Sequence, residues 1–155
     1  MNDVETIEHI IKGTRFATVT TRAANGDLVS RPLAVLQREF DGTVWFFTPD
    51  PSPKTAEIAA DPHVNVAFVD GPSVVSLAGI ASVDRDPARI DEFWNPWAES
   101  WFEGGRDDPS VALLRVDATS AEYWHVDKPG VVRALAKGVV TRKAPDVGDS
   151  KVVDL

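Results

Sequence analysis

A short stretch of the chain, between Ser30 and Lys54, combines residue types that could bind a phosphorylated ligand. It begins with Ser30 and Arg31, continues through an aromatic segment at residues 45–47, and ends with Ser52 and Lys54. A guanidinium group forms paired hydrogen bonds with phosphate, and an ammonium group adds a point charge. An aromatic wall suits a flat ring, so the stretch indicates a site for a planar molecule that carries phosphate.

The elements that must position these residues begin with a hairpin. Residues 15–22 are rich in β-branched side chains and predict a strand. Asn25-Gly26 then supplies the positive φ angles of a two-residue turn. Residues 28–40 predict a second strand, in which Pro32 must lie at an edge or a bulge because proline has no N–H group to donate.

A second hairpin and a short helix follow. Asp41-Gly42 predicts another two-residue turn, which leads into a third strand at residues 43–48. Ser52 is a typical N-cap residue, and Pro53 suits the first position of the helix that would follow it.

The two turns predict a register that brings the two cations together. The first turn places Arg31 opposite Thr20, and the second places Ser52 level with Arg31. We therefore expect Arg31 and Lys54 to converge near the N-terminus of the short helix, where free N–H groups and the helix dipole favour phosphate. The alternative is that both cations are solvated at the surface and pair with nearby Asp or Glu residues.

The aromatic segment also has two interpretations. Trp45 and Phe47 suit packing in the core, as large residues of a strand generally do. In the functional interpretation, backbone groups of Phe47 and Thr48 at the end of the strand bind the polar edge of a flat heterocycle.

The rest of the chain predicts an antiparallel barrel. Six or seven strands joined by short turns, with few and short helices, favour a mainly β (α+β) fold that closes on itself; an open α+β sheet is the alternative. Residues 1–130 form the predicted domain, and residues 131–155 form an extension that is partly helical to residue 136 and disordered beyond residue 145. The remaining predicted elements are helices at residues 3–12 and 86–94, strands at residues 63–69, 73–83, 111–116 and 121–126, and an irregular or helical insertion at residues 95–109.

The composition excludes several classes of function. The 155 residues carry a formal net charge of -8, which disfavours binding to nucleic acid or to an anionic membrane. The absence of cysteine excludes disulfides, thiolate nucleophiles and Cys-ligated metals. The three histidines lack partners at metal-ligand spacing, so no metal site is expected. The acidic N-terminus and the lack of a long apolar run predict a cytoplasmic protein without a signal peptide or a membrane span.

Four motifs in this order resemble the pyridoxamine 5'-phosphate oxidase-like, flavin-binding split barrels, and within them the general stress protein 26 group. They are the runs at residues 26–33 and 44–48, Ser52-Pro53-Lys54, and the Trp-rich segment with the strand residues that follow it, at residues 93–124. The resemblance extends from about residue 6 to residue 125. It implies a split β-barrel of Greek-key-like antiparallel topology and a homodimer with two FMN sites at the subunit interface.

The resemblance also implies roles for individual residues. Arg31 and Lys54 match the family's contacts with the flavin phosphate, with Ser52 beside them. Phe47 and Thr48 match the pair that lines the isoalloxazine ring. Backbone or packing contacts with the flavin are expected from Ser30, Pro32 and Leu33.

The tryptophan cluster of Trp94, Trp97 and Trp101 has two interpretations in this setting. These residues either anchor an irregular segment and cover the dimer interface, or Trp94 or Trp101 reaches over the flavin of the partner subunit. Trp101 is accordingly included among the cofactor-binding residues.

Three departures from the oxidase pattern argue against oxidation of pyridoxamine phosphate. Leu36 stands where the true oxidases have a second basic residue, and Pro53 stands where they have an arginine. The substrate-gripping arginine segment of the oxidases has no counterpart in residues 131–155.

The function predicted from the sequence is a general-stress-protein-like FMN-binding protein that could act as an oxidoreductase of a small molecule. FAD can replace FMN if the phosphate end admits an extension. The alternatives are a non-catalytic flavin-binding or sequestering module, or a pyridoxamine 5'-phosphate oxidase-type or deazaflavin-dependent enzyme. The sequence identifies neither a substrate nor a catalytic residue.

Overall fold

The computed structural model of this chain describes residues 2–36, 39–126 and 150–155. Its strands are β1 (Phe16–Arg22), β2 (Leu28–Ala34), β3 (Thr43–Pro49), β4 (His63–Asp70), β5 (Ser73–Asp84), β6 (Val111–Trp124) and β7 (Ser150–Asp154). Its helices are α1 (Asp3–Lys12), α2 (Pro53–Ala60), α3 (Pro87–Phe93) and α4 (Pro96–Trp101), followed by a 3₁₀ turn at Gly105–Asp107.

The strands form one antiparallel sheet in the order β2-β1-β4-β5-β6-β3, and β7 pairs with β6 beside β3. The sheet is not closed, since β2 and β3 end this order and no ladder joins them in the described part of the chain. The expected split barrel is confirmed, whereas full closure and the second hairpin, which required β2 to pair with β3, are wrong. β3 pairs with the distant strand β6 instead.

The first hairpin differs from the prediction by one residue. The Ala23 N–H group donates to the Asp27 carbonyl, so the loop has one residue more than expected, and Val19 rather than Thr20 lies opposite Arg31. The cause is local, because the Asn25 side chain accepts a hydrogen bond of 3.0 Å from the Asp27 N–H group and widens the turn. Because β2 is an edge strand, Pro32 lies at an edge as predicted.

The C-terminal part of the sheet also corrects the prediction. Residues 111–124 form one continuous strand rather than the two strands predicted, and its register with β5 shifts between Ala78 and Gly79, where Thr119 of β6 has no residue opposite it. Residues 150–154 form β7, so the prediction of disorder is wrong for this segment. The helix predicted to residue 136 lies outside the described residues.

Two hydrophobic clusters lie on the two sides of β3, because successive side chains of a strand point to opposite faces. Phe46 is fully buried in the larger cluster, together with Ile7 and Ile10 of α1. Trp45 is 8% exposed in the smaller cluster, where it packs with Ile90 of α3, and its predicted core position is confirmed. This second cluster supports the α3–α4 segment next to the end of β3.

Candidate functional site

Lys54, in the first turn of α2, is a buried cation. The residue is only 9% exposed, and its Nζ atom donates a hydrogen bond of 2.7 Å to Oγ1 of Thr48. Within the described residues, no carboxylate forms an ion pair with this ammonium group. Because burying a charge without an opposite charge is costly, the position indicates an anionic ligand.

Local sequence explains why Lys54 is held at this point. Ser52 caps α2: its Oγ accepts a hydrogen bond of 3.2 Å from the Thr55 N–H group, and its own N–H group donates to Oγ1 of Thr55 over 2.9 Å. Pro53 occupies the first helical turn as predicted. The cap thus fixes the start of the helix immediately beside Lys54.

Arg31 is held by a hydrogen-bonded triangle that joins β1, β2 and α2. Its Nη1 atom donates to Oγ1 of Thr21 over 2.6 Å, and its Nη2 atom lies 3.3 Å from Oε2 of Glu57. Thr21 in turn donates to the same Glu57 oxygen over 2.5 Å. The two charged side chains are largely buried, at 21% exposure for Arg31 and 17% for Glu57. Arg31 therefore has a carboxylate partner, whereas Lys54 has none among the described residues.

The charge of Arg31 acts on the ammonium group of Lys54. Burial lowers the pKa of Lys54 below its usual value, and the positive charge of Arg31 lowers it further. The expected convergence of the two side chains on one phosphate stays a prediction; α2 carries both Lys54 and the Glu57 partner of Arg31, and no ladder joins β2 and β3 in the described part of the chain. An anion bound between them would oppose both effects and raise the pKa of Lys54.

A cavity of about 750 Å³ opens beside Lys54. This volume lies within the range of pockets that hold organic ligands. β2 with the two residues that follow it, the end of β3, and the segment around α4 form its walls, so both ends of the open sheet contribute. The lining residues are Phe16, Pro32, Leu33, Ala34, Leu36, Phe47, Pro49, Lys54, Trp97, Ala98, Trp101, Phe102, Glu103, Asp108 and Ser110.

Aromatic rings dominate two parts of this cavity. Phe47 packs edge-on against Phe102, with 6.3 Å between the ring centroids. At the rim, Phe16, Trp97 and Trp101 form a row with centroid separations of 5.6 and 6.0 Å. Trp101 is 68% exposed, so a large part of its ring is available for contact with a ligand or another chain.

Five of the predicted site residues line the cavity together: Pro32, Leu33, Phe47, Lys54 and Trp101. The structure places them in one region, and their contact with a flavin stays a prediction.

The other four predicted site residues lie outside the lining. Arg31 contributes its charge beside Lys54, and the fully buried Thr48 accepts the hydrogen bond from the ammonium group. Ser52 uses its hydroxyl group for the helix cap. Ser30 is exposed, and its Oγ atom lies 2.7 Å from Oγ1 of Thr20 on β1.

The sequence-based prediction missed Glu57 and Thr21, which determine where the Arg31 side chain lies. Glu57 follows Lys54 by three positions on the same helix, and residues at that spacing share a helix face. This spacing could have indicated from the sequence that Glu57 lies on the same side of the helix as Lys54. The alternative that cations pair with nearby acidic residues therefore applies to Arg31 but not to Lys54.

Two classes of feature are absent from the described part of the chain. No group of three His, Asp or Glu side chains there could hold a metal ion. No helix among those residues is long and apolar enough to cross a membrane.

The fold is an open antiparallel barrel, and it has an aromatic cavity with a buried cation at the start of a short helix. These features define a split barrel of the kind that the sequence motifs predict. The model of the family described as "Pyridoxamine 5'-phosphate oxidase like" matches residues 2–146. The chain belongs to this family.

Individual relatives agree with this assignment. The chain is 30% identical over 158 residues to Protein bli-3 of Neurospora crassa, covering 93% of this chain and 76% of that protein. It is also 30% identical to the general stress FMN/FAD binding protein from Xanthomonas citri, with a TM-score of 0.70 over 80% of this chain and 91% of that one. General Stress Protein 26 from Bacillus anthracis shares the fold at 24% identity, with a TM-score of 0.70, 79% of this chain and 94% of that one.

Proposed function

We propose that this protein binds FMN in the cavity, with the flavin phosphate at Lys54 and Arg31. The observation that carries the proposal is the buried ammonium group of Lys54, which has no carboxylate partner among the described residues. A phosphate group would supply the missing negative charge, and the guanidinium group of Arg31 would bind the same anion from the neighbouring strand. Among the described residues, the contacts of Arg31 with Thr21 and Glu57 occupy only part of its planar fork, which leaves N–H groups for this purpose.

The apolar part of the cavity suits a flat ring system. Phe47 and Leu33 line it on the side of the sheet, and Trp101 lines it at the rim. FMN, when bound, supplies redox chemistry; the chain holds the ring and limits its access to water. The related protein from Xanthomonas citri is described as binding FMN or FAD, which favours a flavin over other planar phosphates.

We further propose that the protein acts as a homodimer. β2 is an edge strand, with Leu28 75% exposed and Val29 38% exposed on it. Trp101 is exposed and lines the same cavity as Pro32 and Leu33 of β2. A second copy that covers the β2 edge and Trp101 would bury part of this apolar surface and close the cavity over the flavin. Light scattering coupled to size exclusion should give twice the mass of one chain; the mass of a single chain at micromolar concentration would refute the dimer.

The test of the function is direct. Purified protein should be yellow or should become yellow with added FMN, and mass spectrometry of the released cofactor should give the mass of FMN or of FAD. A colourless protein that takes up neither flavin would refute the proposal. Titration with FMN and with riboflavin, which lacks the phosphate, isolates the phosphate site, and FMN should bind more tightly.

Catalysis is tested separately. Anaerobic addition of NADH or NADPH to the flavin-loaded protein should bleach the flavin absorbance if the protein is an oxidoreductase that uses a nicotinamide donor. Persistence of the oxidised spectrum would instead favour a flavin-binding module without reductase activity.

A further inference from the structure

Glu57 is a partly buried carboxylate that contacts Arg31, one of the two cations to which we assign an anionic ligand. Its side chain is 17% exposed, and one oxygen, Oε2, accepts hydrogen bonds from both Arg31 and Thr21. A carboxylate near a phosphate site repels the ligand, so its presence there requires an explanation.

We propose that Glu57 is a positioning residue for the cofactor phosphate, which acts by holding the guanidinium group of Arg31 in one orientation. The inference rests on the proposed flavin function and extends it to a residue that does not itself line the cavity.

The geometry of the triangle supports this role. Arg31 comes from an edge strand, where a long side chain has several rotamers open to it and loses entropy when it is fixed. Thr21 is 1% exposed, so its hydroxyl group is a rigid anchor inside the sheet. Contacts with Thr21 through Nη1 and with Glu57 through Nη2 define the plane of the guanidinium group before any ligand arrives. Binding then requires less ordering of the side chain, which favours affinity.

Two substitutions separate this positioning effect from the charge of Glu57. Glu57→Gln and Glu57→Ala both remove the negative charge, but only glutamine keeps an oxygen that can accept from Arg31 and Thr21. We expect FMN to bind about tenfold more tightly to Glu57→Gln than to Glu57→Ala, because the alanine variant loses the hydrogen bonds that position 57 accepts from Arg31 and Thr21. Riboflavin should bind equally to the two variants, because it has no phosphate for Arg31 to contact.

A double-mutant comparison shows whether Glu57 acts through Arg31. In an Arg31→Ala background, the difference in FMN affinity between the glutamine and alanine variants should disappear. A general structural effect of Glu57 would persist in that background and would also alter riboflavin binding.

A second pair of variants covers the case in which Glu57→Ala does not fold. Thr21→Ser keeps the hydroxyl group of the triangle and Thr21→Val removes it, so FMN should bind more weakly to the valine variant while riboflavin binds equally to both. The proposal is overturned if FMN binds with the same affinity to both members of each pair that folds. If the unmodified protein binds neither FMN nor FAD, the proposed function fails first, and this outcome is distinct from flavin binding that is insensitive to Glu57.

Discussion

Replacing Lys54 with methionine should stabilise the flavin-free protein and weaken FMN binding at the same time. Methionine keeps most of the apolar stem of lysine and removes the ammonium group, whose only hydrogen bond to a described residue is the one to Thr48. At 9% exposure, an ion without an opposite charge carries an effective desolvation penalty of several kcal/mol. The charged hydrogen bond to Thr48 offsets about 1.5–3 kcal/mol of that penalty. We therefore expect the free energy of unfolding to rise by about 1–2 kcal/mol.

The same substitution should have the opposite effect on the cofactor. Loss of a charged partner of the phosphate should weaken FMN binding by about 2 kcal/mol, or roughly 30-fold in the dissociation constant. Riboflavin affinity should change little, because this ligand carries no phosphate. Lys54 would thus lower the stability of the flavin-free protein and raise its affinity for FMN. Such a trade-off between stability and function is expected where binding requires an unfavourable arrangement.

The assay is urea unfolding of flavin-free protein, together with fluorescence titration of FMN and riboflavin. Lys12→Met is the matched control, since Lys12 is 49% exposed on α1 and pairs with Glu8 across one helical turn. The control should change stability by no more than about 0.5 kcal/mol and should leave both affinities unchanged. The reasoning would be refuted if Lys54→Met destabilised the flavin-free protein, or if it weakened FMN and riboflavin binding equally.

Three further outcomes are expected. The lowered pKa of Lys54 means that the folded state binds fewer protons than the unfolded state as the pH approaches the ordinary lysine value of 10.5. The free energy of unfolding of the flavin-free protein, measured relative to that of Lys54→Met, should therefore rise with pH in this window. A difference that does not change with pH there would contradict the assignment. Ser52→Ala removes the cap of α2 and should lower the unfolding free energy by about 1 kcal/mol in urea melts, while Ser52→Asp, which can still cap the helix, should lose clearly less. Trp101→Ala should leave stability within about 0.5 kcal/mol, since the side chain is 68% exposed, yet weaken FMN and riboflavin binding alike; unchanged affinities would exclude Trp101 from the site.

The local parts of the fold could be predicted from the sequence because local chemistry determines them. Ser52 and Pro53 determine where α2 begins, and Asn2 with Glu5 forms the capping box of α1. The pairing of β3 could not be predicted in this way. Asp41-Gly42 indicated a hairpin, but the partner of β3 is a distant strand, chosen by the burial of residues such as Phe46 and Leu114 on a shared face. No turn between neighbouring segments encodes that choice.

The candidate site was also predicted only in part, because sequence motifs reveal some of its residues and tertiary packing determines the others. Lys54 and Phe47 lie in motifs, so their types and positions were informative before the structure was known. The first register was wrong by one residue because the Asn25 side chain widens the turn, and a turn count alone does not reveal this. Glu57 was missed because its importance depends on where Arg31 reaches from another strand, which is a property of tertiary packing.

The geometry of their charged groups explains why Arg31 and Lys54 have different roles in the site. Arg31 pairs with Glu57 and keeps donors that no other described residue occupies, because a planar guanidinium group can bind a carboxylate at one edge and a ligand at another. A buried ammonium group has a single centre of charge, so a carboxylate bound to Lys54 would compete directly with the ligand. The absence of such a partner among the described residues makes Lys54 the position where the ligand's charge has most effect. We therefore expect Lys54 to determine how much more tightly FMN binds than riboflavin, which lacks the phosphate. Arg31, held by Glu57, should determine where that phosphate lies.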